Sequence, residues 1–157
     1  MPQSADHLYK ARNNASFAAE LDPNCDTKTG WALVALFYSA LHYVESLCAE
    51  AGVHHEDHGE ITDHIFSTPD LRPISRDYRE LSTLGWNARY KPVRYGAKEL
   101  EDAKHSHEAI KTRIERLLPK ALMEPVAPAR PMAQPSAIAA KYAPDQPKPF
   151  PDKPRST

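Results

Sequence analysis

Cysteine, glycine and long apolar runs are scarce in this sequence, and each scarcity excludes a class of protein. Cys25 and Cys48, the only two cysteines, are too few for the disulfide framework of a small secreted domain. The five glycines form neither a glycine-rich phosphate loop nor a Gly-x-Ser-x-Gly nucleophile turn. The longest apolar run, Trp31 to Tyr38, is too short to cross a bilayer, and residues 1–10 lack the apolar core of a signal peptide. We therefore expect a cytoplasmic protein with no membrane contact.

Charge of either sign is also modest. The formal net charge is −1 over 157 residues. A phosphate-binding protein needs Lys and Arg clustered on one face, and a small overall excess does not provide that. Composition alone therefore indicates neither a nucleic-acid partner nor an acidic one.

Proline divides the chain into two parts. Of the fifteen prolines, ten lie at or after Pro119, in a segment whose last leucine is Leu122 and whose single phenylalanine is Phe150. Such a composition buries too little apolar surface to offset the entropy of folding. The sequence predicts a folded domain over residues 1–118 and a disordered, proline-rich tail over residues 119–157.

Apolar residues in the first part recur at three- and four-residue intervals, which is typical of helices. The pattern predicts helices at about 4–21, 26–51, 70–89 and 97–118, and a loop followed by a short helix within 54–68. Gly52 is placed to end the second helix in a left-handed conformation. No β-type alternation or Asn-Gly hairpin occurs. We predict an all-α bundle of four to five helices.

The second predicted helix is apolar on all sides around Trp31 to Tyr38, so it belongs at the centre of the bundle. Tyr38, His42 and Glu45 nevertheless share one stripe of it. Two interpretations are open. The three are polar groups whose hydrogen bonds are satisfied inside the protein, or His42 and Glu45 form a His–carboxylate pair that faces a cleft and acts as a general base.

A polar, histidine-rich stretch follows this helix. His54 and His58 share a helical face, as do Glu60 and His64, and this is a plausible spacing for metal ligands. The His-Glu-x-x-His order of zinc proteases is absent, and a solvated loop explains the composition equally well. We predict no metal site and no cofactor.

The segment from Arg72 to Tyr95 is the most basic part of the domain. Candidate nucleic-acid contacts there are Arg72, Arg76, Arg79, Arg89, Arg94 and Tyr90. Basic residues mixed with aromatic ones bind phosphates and stack on unpaired bases. The alternative is the charged outer face of an ordinary helix.

Three short segments resemble small bacterial HEPN-domain proteins. They are Tyr-Ser-Ala-Leu-His-Tyr-Val-Glu from Tyr38 to Glu45, Tyr78-x-x-Leu81, and Ala88-Arg89-Tyr90, with His58 between the first and the second. The resemblance covers about residues 4–118. It implies a bundle of four or five helices, homodimerisation and a role around RNA, often in toxin–antitoxin or phage-defence systems with a cognate partner protein.

Active HEPN ribonucleases carry an Arg followed, after four to six intervening residues, by a His. No Arg in this chain has a His at that spacing. The resemblance therefore leaves His42, Glu45, His58 and Arg89 as candidate catalytic residues of a divergent, metal-independent endoribonuclease. In that role His42 or His58 is the base, and Arg89 stabilises charge on the scissile phosphate. Tyr38 and Tyr78 are expected to line the same polar site.

Two functions are consistent with the sequence. One is a HEPN-like, RNA-associated module with or without ribonuclease activity. The other is a non-catalytic helical adaptor that binds a partner protein through the bundle or through the proline-rich tail.

Overall fold

The computed structural model describes residues 3–123, which form helices joined by short loops and contain no strand. The helices are α1 (Ser4–Glu20), α2 (Asp26–Glu50), α3 (His58–Ser67), α4 (Ser75–Tyr90), α5 (Ala97–Leu117) and the short α6 (Lys120–Met123), with a 3-10 turn at Arg72–Ile74. The all-α prediction is confirmed.

Helix α2 lies at the centre of the bundle and packs against α1, α4 and α5. It is long and apolar enough to be a candidate membrane span, and 78% of its apolar window is buried inside the protein. Burial among three neighbouring helices explains why it is apolar on all sides. The prediction that this helix forms the centre of the bundle is confirmed.

One serine on α2 joins three helices. The Ser39 hydroxyl donates to the carbonyl of Ala11 on α1 at 2.7 Å, and it lies 2.7 Å from Nε2 of His107 on α5. Since the hydroxyl proton is used towards Ala11, Nε2 of His107 donates to the Ser39 oxygen. Burial lowers the pKa of His107 to about 4, so the ring is neutral at neutral pH.

The ends of the helices follow local signals. Gly52 adopts the left-handed conformation (φ +73°) that was predicted for it, and the amide of Val53 bonds back to the Cys48 carbonyl at 2.8 Å. The Asp57 side chain caps α3 by accepting from the amides of Gly59 and Glu60. The predicted short helix after residue 54 is confirmed.

The fourth helix begins later than predicted. Residues 72–74 form a 3-10 turn in which the Ile74 amide bonds to the Leu71 carbonyl at 3.0 Å, and α4 begins only at Ser75. Pro73 fits this tight turn because it has no amide hydrogen to satisfy.

Helices α2 and α4 pack tightly at Gly85. A β-carbon at this position would lie 2.9 Å from Cβ and 3.2 Å from Cγ of Phe37. Only glycine allows the two backbones to lie at this distance. The close approach brings Arg89, one turn beyond Gly85, against the exposed edge of α2.

A further short helix, α6, follows a break at residues 118–119, and its half-buried Leu122 and Met123 pack against the core. The predicted boundary at residue 118 therefore precedes two side chains that contribute to packing. The rest of the predicted tail, residues 124–157, lies outside the described residues.

Candidate nucleic-acid interface

The outer face of α4 carries a continuous row of exposed side chains. We call it the α4 stripe; it consists of Arg76, Arg79, Thr83, Trp86 and Tyr90. Their spacing of three or four residues places them on one face of the helix. At 1.5 Å of rise per residue, the stripe is about 21 Å long.

The basic half of the stripe has no internal charge partner. Within residues 3–123, neither Arg76 nor Arg79 forms an ion pair with a carboxylate. Arg79 instead places its guanidinium over the Phe66 ring, with Cζ 4.6 Å from the ring centroid. Both guanidinium groups therefore remain available to an anion.

The aromatic half follows on the next turns of the helix. The rings of Trp86 and Tyr90 lie 5.4 Å apart between centroids, and the two side chains are 49% and 65% exposed. The ammonium group of Lys91 lies 5.1 Å from the Trp86 ring centroid. Large exposed rings beside cations are suited to stacking on unpaired bases.

Arg89 points towards α2 and does not belong to the stripe. Its Nη1 donates to the Tyr38 hydroxyl at 2.7 Å, and its Nε donates to the Gly85 carbonyl at 3.2 Å. The guanidinium carbon lies 5.3 Å from the Tyr38 ring centroid and 5.1 Å from that of Tyr90. Arg89 therefore connects the end of the stripe to the surface of α2.

His58, the first residue of α3, completes this arrangement. Its ring centroid is 5.6 Å from that of Phe37 and 6.3 Å from that of Tyr38. We call Tyr38, His58, Arg89 and Tyr90 the Tyr38 cluster. It combines a fixed guanidinium, a phenol and an exposed imidazole, which are groups that bind a phosphate.

The other two candidate catalytic residues lie elsewhere. His42 is one turn beyond Tyr38 on α2, and its Nδ1 is 3.2 Å from Nδ1 of His7 on α1. Burial, reinforced by the neighbouring His7, lowers the pKa of His42 to about 4. His42 is therefore a neutral, half-buried residue of the α1–α2 packing.

Of the two interpretations of the Tyr38, His42 and Glu45 stripe, the pairing of His42 with Glu45 is not found in the structure. Glu45 accepts a hydrogen bond from Nδ1 of His55 at 2.8 Å, and both side chains are more than 90% buried. The ring of His64 packs edge-on against His55, with centroids 5.0 Å apart. A His–carboxylate pair does exist, but its histidine comes from the loop after α2, and it fixes that loop to the helix.

Tyr78 does not line a polar site either. Its ring is 1% exposed and packs against Phe37. The hydroxyl oxygen has no hydrogen-bond partner among the described residues. Burial, with a smaller effect of the Glu45 carboxylate, raises the pKa of this phenol. Tyr78 is a core residue.

The remaining arginines lie off the stripe. Arg72 lies in the 3-10 turn and donates from Nε to the Phe66 carbonyl at 3.3 Å. Arg94 lies in the loop after α4, where its Nε is 3.6 Å from Oδ2 of Asp26 in a well-exposed pair. Of the six predicted nucleic-acid contacts, the fold therefore brings Arg76, Arg79 and Tyr90 onto one face.

The histidines of the polar stretch after α2 face different parts of the fold. His58 faces Phe37 and Tyr38, whereas His64 faces His55. Across residues 3–123, no three His, Cys, Asp or Glu side chains converge on a point where they could hold a metal ion.

Comparison with family models, with curated proteins and with solved structures finds no match for this chain. A functional assignment therefore depends on the side chains described above.

Proposed function

We propose that this protein is an RNA-associated helical module that binds single-stranded RNA along the α4 stripe. The observation that carries the proposal is the arrangement of the stripe itself. Two exposed arginines without carboxylate partners and two exposed aromatic rings share one face of one helix. One exposed carboxylate, Glu80, lies beside this row, but among residues 3–123 it forms no ion pair with either arginine.

A single strand suits this face better than a duplex. Bases within a duplex are stacked on each other, so Trp86 and Tyr90 would have no ring face to meet. In a single strand the bases can stack on the two rings while the backbone phosphates follow the arginines. Each stacked base contributes about 1–3 kcal/mol, with little dependence on sequence.

The resemblance to HEPN-domain proteins supports RNA as the nucleic acid. The same resemblance implies the proposed homodimer, the cognate partner protein and the setting in toxin–antitoxin or phage defence. On this proposal the protein acts in the cytoplasm.

Ribonuclease activity is a second proposal, and the convergence of Tyr38, His58 and Arg89 favours it. A strand that follows the stripe meets this cluster at its Tyr90 end. There the free N–H groups of Arg89 can stabilise charge on a phosphate, and His58 can act as the base. We assign the base to His58 because His42 and Glu45 are engaged with His7 and His55.

Salt-dependent binding tests the main proposal. A single-stranded RNA is titrated with the full chain at several salt concentrations, and binding is measured by fluorescence anisotropy. Replacing Arg76 and Arg79 with Ala removes two phosphate contacts. The slope of log K against log salt should then flatten by about 1.4, because each contact to a single strand contributes about 0.7.

The matched control replaces Lys104 and Lys111 on α5, which form ion pairs with Glu101 and Glu108. This double variant loses the same formal charge but should keep the wild-type slope. An equal effect of both double variants would show that net charge, not the stripe, governs binding. Absence of binding at low salt would refute the proposal and leave the adaptor function.

Cleavage is tested separately with labelled RNA in the presence of a chelator. His58→Ala should abolish it, whereas His105→Ala, which alters an exposed histidine on α5, should not. Binding without cleavage would limit the function to RNA binding.

A further inference from the structure

A cleft of about 480 Å³ lies between α3 and α4, directly beside the basic half of the stripe. The lining residues that matter for its chemistry are Phe66, Arg76, Arg79, Glu80 and Leu84. The cleft is open to solvent, and its two arginines are the same ones that begin the stripe. A single-stranded RNA bound to the α4 stripe would therefore pass the opening of the cleft.

We propose that this cleft is a nucleobase subsite that prefers bases with an exocyclic amino group, cytosine over uracil in particular. The proposal rests on the proposed RNA-binding function and adds sequence preference to it. Three features of the cleft support it: a stacking surface, an apolar floor and an acceptor at the edge.

The stacking surface is the guanidinium of Arg79. Its Cζ lies over the Phe66 ring, 4.6 Å from the centroid, and the side chain is exposed. A planar guanidinium has two faces, and the one turned away from Phe66 is available to a base. Since the Phe66 ring already holds the side chain in place, less rotamer freedom is lost when the base binds.

The floor comes from Leu84, which lines the cleft and is half-buried. It provides apolar surface for the edge of a pyrimidine ring. Arg76 lies at the same cleft and carries the positive charge that a nucleotide phosphate requires. The cleft thus offers complementary chemistry for the base and for the backbone of one nucleotide.

Glu80 provides the selectivity. Within residues 3–123 its carboxylate forms no ion pair, so it is available to the cleft. A carboxylate accepts hydrogen bonds and does not donate them. It can accept from the N4 amino group of cytosine, whereas uracil presents the O4 carbonyl oxygen at the same position and is repelled.

The experiment compares hexamers of cytidylate and uridylate, which have rings of equal size and differ at this edge. The wild-type chain should bind the cytidylate hexamer roughly fivefold more tightly, as expected for the net gain of one hydrogen bond in a solvated cleft. Glu80→Gln should reduce the ratio to about 1, because an amide can donate to O4 as well as accept from N4. Glu101→Gln on α5 removes the same charge and should leave the ratio unchanged.

Arg79→Lys tests the stacking surface. Lysine keeps the positive charge but has no plane, so this variant should retain the salt slope and lose the preference for cytosine. A variant with both slope and preference intact would overturn the role given to Arg79.

Equal binding of the two hexamers by the wild-type chain, with the expected salt slope, would overturn the cleft proposal and leave RNA binding in place. If neither hexamer binds, cytidine and uridine monophosphates are titrated separately and followed by the amide NMR signals of Thr83 and Leu84. Shifts with the cytidine nucleotide alone would support the subsite without the stripe. Shifts with neither, or equal shifts with both, would overturn it.

Discussion

The interior of the bundle and the outer face of α4 differ in whether their polar side chains have partners within the protein. Inside, the Ser39 hydroxyl has two partners and Glu45 accepts a hydrogen bond from His55, while the Tyr78 hydroxyl is an exception with no partner among the described residues. Outside, Arg76 and Arg79 have no carboxylate partner among the described residues. A buried group without partners costs about 1–3 kcal/mol, whereas an exposed group is satisfied by water. The interior groups therefore serve the fold, and the exterior groups remain available for a ligand.

The largest expected effect on stability comes from Phe37→Ala. Phe37 is 1% exposed at the contact between α2 and α4, and removal of such a ring costs about 3–5 kcal/mol. Phe17→Ala is the matched control, because Phe17 is 49% exposed and should cost little. Denaturant unfolding measures both. Equal losses would show that α1 uses Phe17 in packing.

A pH effect of about 2–3 kcal/mol is expected from His107. Its pKa is about 4 in the folded protein and 6.5 when exposed, so only the unfolded chain gains a proton as the pH falls between these values. The contribution of neutral His107 to the free energy of unfolding therefore has its full value above about pH 6.5 and decreases towards pH 4. His42 acts in the same direction.

Unfolding curves at pH 7 and pH 4.5 measure this loss. His107→Gln retains a donor for Ser39 and should show a smaller loss than the wild type. His105→Gln, on the exposed face of α5, should behave as the wild type. An unchanged pH dependence in His107→Gln would show that other groups cause the acid sensitivity.

Substitution of two glycines with Ala should change the free energy of unfolding by smaller amounts. The sign of the change should differ between the two positions. At Gly30, no atom lies within 4 Å of the added methyl group, so Ala should stabilise α2 by about 0.5–1 kcal/mol. At Gly85 the methyl group meets Phe37 at 2.9 Å, and overpacking of about 1–3 kcal/mol exceeds that gain. Thermal unfolding of the two variants decides the signs. Stabilisation by both would mean that α4 can move away from α2 at no cost.

The smallest change in stability is expected on the stripe. Arg76→Ala with Arg79→Ala should cost less than about 1 kcal/mol, mainly through the lost contact of Arg79 with Phe66. The same variant should show the flattened salt dependence of RNA binding described above. A large loss of stability would place these arginines among the structural residues and break the distinction between the two regions.

Much of the secondary structure was predictable because its signals are local. The all-round apolar character of α2 predicted its central position, and Gly52 predicted the end of α2. The start of α4 was predicted too early, because apolar periodicity does not distinguish a 3-10 turn around Pro73 from the first turn of an α-helix.

The candidate sites were less predictable. Spacing on α2 suggested His42 as the partner of Glu45, whereas a loop residue, His55, takes that place. The roles of His7 and Phe66 had no signal in the sequence, since each depends on a contact with a different element.

The sequence by itself determined the helices, the central place of α2 and the presence of Arg and aromatic residues along α4, because periodicity and composition act locally. Only the tertiary structure decided which of these side chains share a surface. Packing at Gly85 turns Arg89 towards Tyr38 and leaves Arg76, Arg79, Trp86 and Tyr90 facing outwards. That outcome depends on the contact between Phe37 and Gly85, which lie far apart along the chain, and no local pattern contains it.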